Sequence, residues 1–390
     1  MDLPQLRRTL LELFGTVAVP QLGGLSEADW AWLDTMAKAR RLQPLLHVQH
    51  RDNPQIPAAI AARWQAAHRE AALAALARKA ELGECVALLE QAGLQVLALK
   101  GAWLAHYAYP DPAQRPMYDI DLLLDPDTVI AGWKLLKQAG FVQAYPAEMS
   151  LTDLIRFEKH MPALVGPRGS MIEVHHRLWE RAGRLDHASP ASDDAAIRAR
   201  AVTLDGIRYP APPDMLVHLI IHAAYSHRLD CGPRVLADID FLLRREAIDW
   251  TAFWHRAAAE GWRDGARLVL ELTRRNRAGV VIDFAPDAGG PVPENVIDGA
   301  VQLLFQDPDS CASAGFTASV INGGVKGLVQ RMLGRRSADG EASALRDTTA
   351  AGGRLGWASS RLIRVAGDIA RSDIRRQASQ LAQLSRWLDR

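Results

Sequence analysis

Cysteine is scarce in this chain. Its 390 residues contain three, Cys85, Cys231 and Cys311, widely spaced and without a C-x-x-C pair. That argues against a disulfide framework and against a structural zinc site, and it suits a reducing, cytoplasmic setting. Net charge is equally sparse: 46 basic against 45 acidic residues leave +1. So balanced a chain lacks the electrostatic footprint of a protein that binds long nucleic acid or a membrane surface. Aromatic residues make up 6% of the chain, and no stripe interleaves them with basic residues as nucleic-acid binders do. No apolar run approaches the ~20 residues of a membrane span. The most apolar helix candidate, MLVHLIIHAAYSH (215–227), is too short and holds three histidines. The opening MDLPQLRRTLLELFG mixes charges with leucines and reads as an amphipathic helix, not a leader. There is no internal repeat. What remains, with 48% hydrophobic and 23% charged residues, is an ordinary globular composition. The length suits two or three domains.

Organisation follows from composition along the chain. Residues 1–93 read as a helical region. The stretch 57–93 is dominated by Ala, Leu, Glu, Lys and Arg, strong helix formers, and Gly93 is placed to end it. Residues 94–210 read as a mixed α/β unit. LQVLAL (94–99) is a strand, AWLAHYAY a helix, PDPAQRP (110–116) a loop. DIDLLL is a strand, about 126–139 a helix, and Phe141–Ala144 another strand. A helical patch near 150–158 precedes MPALV and SMIEVHH, two extended runs joined by the turn GPRG. PAPPDM (210–215) marks a boundary, and 211–333 reads as a helical domain with helices at 213–227, 234–245, 250–260 and 263–276. Residues 278–293 read as a loop. In 334–390 a small-residue, polar linker leads to arginine-rich helices (355–390). The fold class is α+β: a small mixed sheet with helices before it and a helical domain after it.

Chemistry concentrates in MYDIDLLLD, residues 117–125. Ile120, Leu122, Leu123 and Leu124 suit a sheet core; Asp119 and Asp121 do not. Side chains at i and i+2 of a strand share a face, so the two carboxylates stand side by side. They repel unless one is protonated or a cation lies between them. A third carboxylate, Glu173, sits in the apolar strand GSMIEVHH, with His175 on its face. If the strands are neighbours, three carboxylates converge. Such hard oxygen donors suit Mg²⁺, and paired ions suit in-line nucleotidyl displacement. Upstream, Lys100 and Gly101 lie between a strand and a helix. Glycine permits close backbone approach to a phosphate, and Lys100 and Arg115 can add cationic contacts.

Together, LKG, a helix ending in tyrosine, an arginine, DIDLLL and IEVHHRL resemble the uncharacterised bacterial nucleotidyltransferase family, within the DNA polymerase β-like nucleotidyltransferase superfamily. The resemblance covers about 94–180 and continues through PPDMLVHLIIHAAYSH, RVLADIDFLL and AIDWTAFW. It implies Asp119, Asp121 and Glu173 as metal ligands and catalytic residues, with Glu173 either a ligand or the base for the acceptor proton. It implies Gly101 as the phosphate-side glycine. Two departures stand out. Ala102 occupies a position where the superfamily usually has Ser or Gly, and the spacing from Gly101 to Asp119 is longer than usual.

The expected function is therefore transfer of an NMP, AMP by preference, from an NTP to a small-molecule or peptide acceptor. Two Mg²⁺ ions and ATP are the expected cofactor and donor, and pyrophosphate the by-product. His160, His175, His222, Arg234 and Asp238 are candidates for the acceptor side. The plainer readings are structural: His218 and His222 as helix-packing histidines, and Arg234 and Asp238, four apart, as a surface salt bridge. The alternative function is a catalytically degenerate nucleotide-binding or interaction protein. A metal-dependent phosphohydrolase would call for an HD dipeptide among the helices, and the chain has none.

Overall fold

A computed structural model describes residues 1–15, 22–146, 150–179, 194–284, 286–306 and 372–389. Cys311 and the polar segment 334–355 lie outside these residues.

The helices of the N-terminal region are α1 (Leu3–Gly15), α2 (Glu27–Ala39), α3 (Gln43–His50) and α4 (Ala58–Gln91). Ser26 opens α2 with a capping box: its hydroxyl accepts from the Asp29 amide, and the Asp29 carboxylate accepts from the Ser26 amide. The alanine-rich α4 runs 34 residues, roughly 50 Å at 1.5 Å per residue. Gly93 ends it with φ +77°, the left-handed conformation that favours glycine.

The sheet that follows is mixed and has the order β1-β2-β5-β4-β3. Its strands are β1 (Val96–Ala98), β2 (Asp119–Leu124), β3 (Val142–Gln143), β4 (Leu164–Val165) and β5 (Met171–His175). β1 pairs antiparallel with β2, while β2 and β5 are parallel neighbours, placing Asp121 opposite Glu173. α5 (Lys100–Trp103) continues into a π-helical turn, Leu104–Ala108; α6 is Val129–Gln138 and α7 Leu151–Phe157. The GPRG segment is a hairpin turn as expected: the Gly166 amide donates to the Ser170 carbonyl at 2.9 Å. Glu81 of α4 holds that turn by accepting from the Arg168 and Ser170 amides.

α8 (Asp194–Ala199) precedes a separate two-stranded hairpin, β6 (Val202–Leu204) and β7 (Ile207–Tyr209). Then come α9 (Pro212–Ile221), a second π-helical turn (His222–Ser226), α10 (Arg234–Arg245), α11 (Trp250–Ala259), α12 (Arg263–Asn276), α13 (Glu294–Leu304) and α14 (Ser372–Leu388). One continuous apolar core joins residues of α1, the sheet, the later helices and the end of α14. The C-terminal helix therefore departs from a wholly solvated basic face. Leu384, Trp387 and Leu388 are buried in the core, and α14 packs on α12 and α13. No described helix is long and apolar enough to cross a membrane.

Candidate active site

The β-sheet period places the acidic residues. Asp119 and Asp121 share one face of β2, and the parallel register sets Glu173 beside Asp121 and His175 two pairs further on, back on the same face. One donor atom each from Asp121, Glu173 and His175 lies within 4.8 Å of the others. His175 Nε2 stands 3.2 Å from Asp121 Oδ1 and 3.3 Å from Glu173 Oε2. Two carboxylates and an imidazole at this spacing can close on one divalent cation, with the oxygens suiting Mg²⁺ and the nitrogen widening the choice toward softer ions. Among the described residues this is the one such cluster.

β1 delivers Lys100. The Leu99 amide donates to the Asp121 carbonyl at 2.9 Å, which carries the next side chain over the carboxylates. Lys100 Nζ lies 3.5 Å from Asp121 Oδ2. Burial alone pushes the Asp121 carboxyl upward, but Lys100 and His175 outweigh it and hold Asp121 well below the usual carboxylate range. For Glu173 burial is likewise overcome, by the His175 hydrogen bond and the charge of His160, to about 2. Asp119 goes the other way. Burial and the neighbouring Asp121 charge raise it to about 6, against the pull of Lys100. Burial opposes the His175 imidazolium, yet its bonds to Asp121 and Glu173 raise its pKa. Its Nδ1 is buried without a hydrogen-bond partner. The site thus holds two carboxylates lowered by their partners and a third raised by burial and by its neighbour's charge, an imbalance that an added cation relieves.

Arg115 and Gly101 form the adjoining corner. Arg115 is buried, unlike a surface cation. Its Nε and Nη2 reach Asp238 Oδ1 and Oδ2 at 2.9 and 3.0 Å, and Tyr109 Oη donates to Asp238 Oδ1 at 2.8 Å. The third nitrogen, Nη1, faces Gly101: a Cβ there would meet it at 3.2 Å. The glycine thus leaves room beside a pinned guanidinium.

Several expectations need correcting here. Arg234 and Asp238 do not form a surface pair. Asp238 is buried and committed to Arg115 and Tyr109, an anchor beneath the site. Arg234 Nη1 instead donates to the Pro116 carbonyl at 2.8 Å. His160 pairs with the end of β5 through an isolated bridge to His175, their rings 5.2 Å apart, and its Nδ1 contacts the Met161 carbonyl. Burial lowers its pKa.

His218 and His222 pack within a row of rings. Rings run from Trp179 to His218 (5.1 Å), His222 (6.3 Å) and His227 (4.1 Å). Burial first, then the charge of Lys100, holds both His218 and His222 well below the ordinary imidazole value. Asp121 pulls His218 the opposite way. The i, i+4 spacing in the sequence signals a shared helix face; nothing in it signals which element that face meets. Cys85 and Cys231 are free thiols, both pushed up to about 12 by burial, too high for a reactive thiolate.

Comparison with curated proteins and with solved structures returns no match. The sequence profile of a family described as "Uncharacterised nucleotidyltransferase" matches residues 26–277, more than half of the chain. The matched span takes in β1, β2, β5 and α9–α12, hence every residue of the site described above: this chain belongs to the uncharacterised nucleotidyltransferase family.

Proposed function

We propose that the chain is a Mg²⁺-dependent enzyme that passes an NMP, AMP by preference, from an NTP to a small-molecule or peptide acceptor. The observation that carries this reading is the in-register placement of Asp121 beside Glu173, with Asp119 on the same face, in a chain of nucleotidyltransferase family. Asp119, Asp121 and Glu173 are the residues that would hold the ions, and His175 is the nitrogen donor beside them. Bound there, such ions would favour ionisation of the acceptor hydroxyl and offset charge on the departing pyrophosphate.

The chain's own groups do the rest. Lys100, already at Asp121, can turn its ammonium to a phosphate once a cation takes over that carboxylate. Gly101 lets a phosphate approach, and Arg115 Nη1 offers a fixed donor there, because Asp238 and Tyr109 hold the other end of the guanidinium. His218 and His222 supply uncharged rings on the acceptor side, where an imidazolium would compete with the metal ions. His160 and Arg234 remain at the margin of this region.

Labelled donors test the reading. Incubation with NTP carrying label in the α-phosphate, with Mg²⁺ and pooled small molecules or peptides, should move label to an acceptor and release unlabelled pyrophosphate. Movement of γ-label instead would mean phosphoryl transfer and would overturn it.

A further inference from the structure

Two arginines from separate elements meet the loop leading into β2, and a third, Arg78, lies on α4, which packs against the Pro112–Gln114 turn of that loop; among the described residues none of the three has a carboxylate at ion-pair distance. Arg41, after α2, lays its guanidinium 4.5 Å above the ring of Tyr118. Arg234, opening α10, bonds the Pro116 carbonyl. Arg78, on α4, is half-buried with its Nε unpartnered. Arg41 is among the charges that depress both Arg78 and Arg234, after burial. The acids facing them are committed elsewhere. Glu81 holds the β4–β5 turn, Asp238 holds Arg115, and Asp119 faces the other carboxylates.

Arg41 adds an independent sign. The Leu42 amide donates to Ala37 O and the Arg41 amide to Lys38 O, the paired bonds of a helix stop whose left-handed position glycine normally fills. Arg41 occupies that position at φ +54°. An L side chain is disfavoured there, and residues held in such conformations cluster at ligand-binding sites.

Like charges gathered from three helical elements call for an anion with several charges spaced along it. We propose that Arg41, Arg78 and Arg234 form a phosphate-chain subsite beside Asp119 that takes the β- and γ-phosphates of the donor NTP. The proposal rests on the nucleotidyltransferase reading, and it moves Arg234 from the acceptor side to the donor side. The subsite continues the corner made by Gly101 and Arg115, since Pro116 and Tyr118, which two of the arginines touch, directly follow Arg115. It also gives the N-terminal helices a role in donor binding: α2 and α4 supply two of the three charges.

The test is calorimetric titration of the full chain with inorganic tripolyphosphate in EDTA, so that no divalent ion contributes. Wild type should bind, and the affinity should fall with salt. Arg78→Gln and Arg234→Gln should each weaken binding about tenfold or more, the loss of one charge-assisted contact. Arg41→Gly is the most discriminating variant. It relieves the left-handed backbone, so the melting temperature should hold or rise while tripolyphosphate affinity falls. Asp119→Asn should bind tripolyphosphate at least as well as wild type. Absence of binding to wild type, or unchanged binding in all three arginine variants, would overturn the subsite. Failure of the transferase reading shows differently, as α-label that never moves even though the arginines bind tripolyphosphate.

Discussion

Asp121 and Glu173 stand directly opposite one another on parallel neighbouring strands, 52 residues apart in sequence, with the His175 imidazole within 3.3 Å of both carboxylates. The account of this protein turns on that pairing, since it makes a cation-ready face out of two otherwise apolar strands. Added Mg²⁺ should therefore stabilise the fold. At an ion concentration a hundredfold above Kd the gain is about 2.7 kcal/mol. Thermal melting with Mg²⁺ and with EDTA would show it, and Asp121→Asn should lose the difference.

Arg115 is the second point of leverage. Asp238→Ala strands a buried guanidinium, and breaking such a pair costs about 3–5 kcal/mol. Urea unfolding should show that loss, with Asp238→Asn milder because one oxygen remains to accept from Arg115 or Tyr109.

Gly101→Ala separates binding from folding. The new Cβ would press on Arg115 Nη1 at 3.2 Å, with Met117 Cγ in ordinary contact at 3.6 Å. Arg115 cannot retreat while both its other nitrogens hold Asp238. Stability should fall by on the order of 1 kcal/mol, and NTP affinity by a larger factor than stability alone explains, as read by melting and by calorimetry on the same preparation.

Acid stability has a named contributor away from the site. Arg274, then burial working against it, then Arg275 act on Glu271, and the balance lowers its pKa from 4.5 to about 2. A depressed carboxyl pKa contributes stability that is whole above the ordinary value and disappears as pH falls toward the folded one. Glu271→Gln should thus be less stable than wild type at pH 7, by on the order of 1 kcal/mol given the exposure of Arg274. The two proteins should converge between pH 4.5 and about 2.

Much of this was legible in the sequence. The aspartate strand, the GPRG turn and the helices at 234–245 and 263–276 are found where pattern places them, because each carries a strong local signal: a short apolar run broken only by two aspartates, a glycine-bounded turn, or a clean apolar stripe. The i, i+2 rule also put His175 on the face of Glu173. What escaped was tertiary. β6 and β7 are three residues each, too short for a period. Helix α13 (Glu294–Leu304) lay beyond a loop and was not singled out. Asp238 had a local candidate partner in Arg234, yet it pairs with Arg115, 123 residues away, since burial rewards the bidentate fork over a neighbouring contact. Neither Arg41 nor Arg78 carries any sequence mark. Arg41 lies in the stop after α2 and Arg78 within α4, and their nearness exists only once these elements pack together.

The most direct measurement is calorimetric binding of the four NTPs, with and without Mg²⁺, to wild type and to the Asp119→Asn, Asp121→Asn double variant. The account predicts that at least one NTP binds wild type with Mg²⁺-dependent affinity, and that the double variant, still folded, loses this dependence. Equal NTP binding by both proteins, indifferent to Mg²⁺, would contradict it.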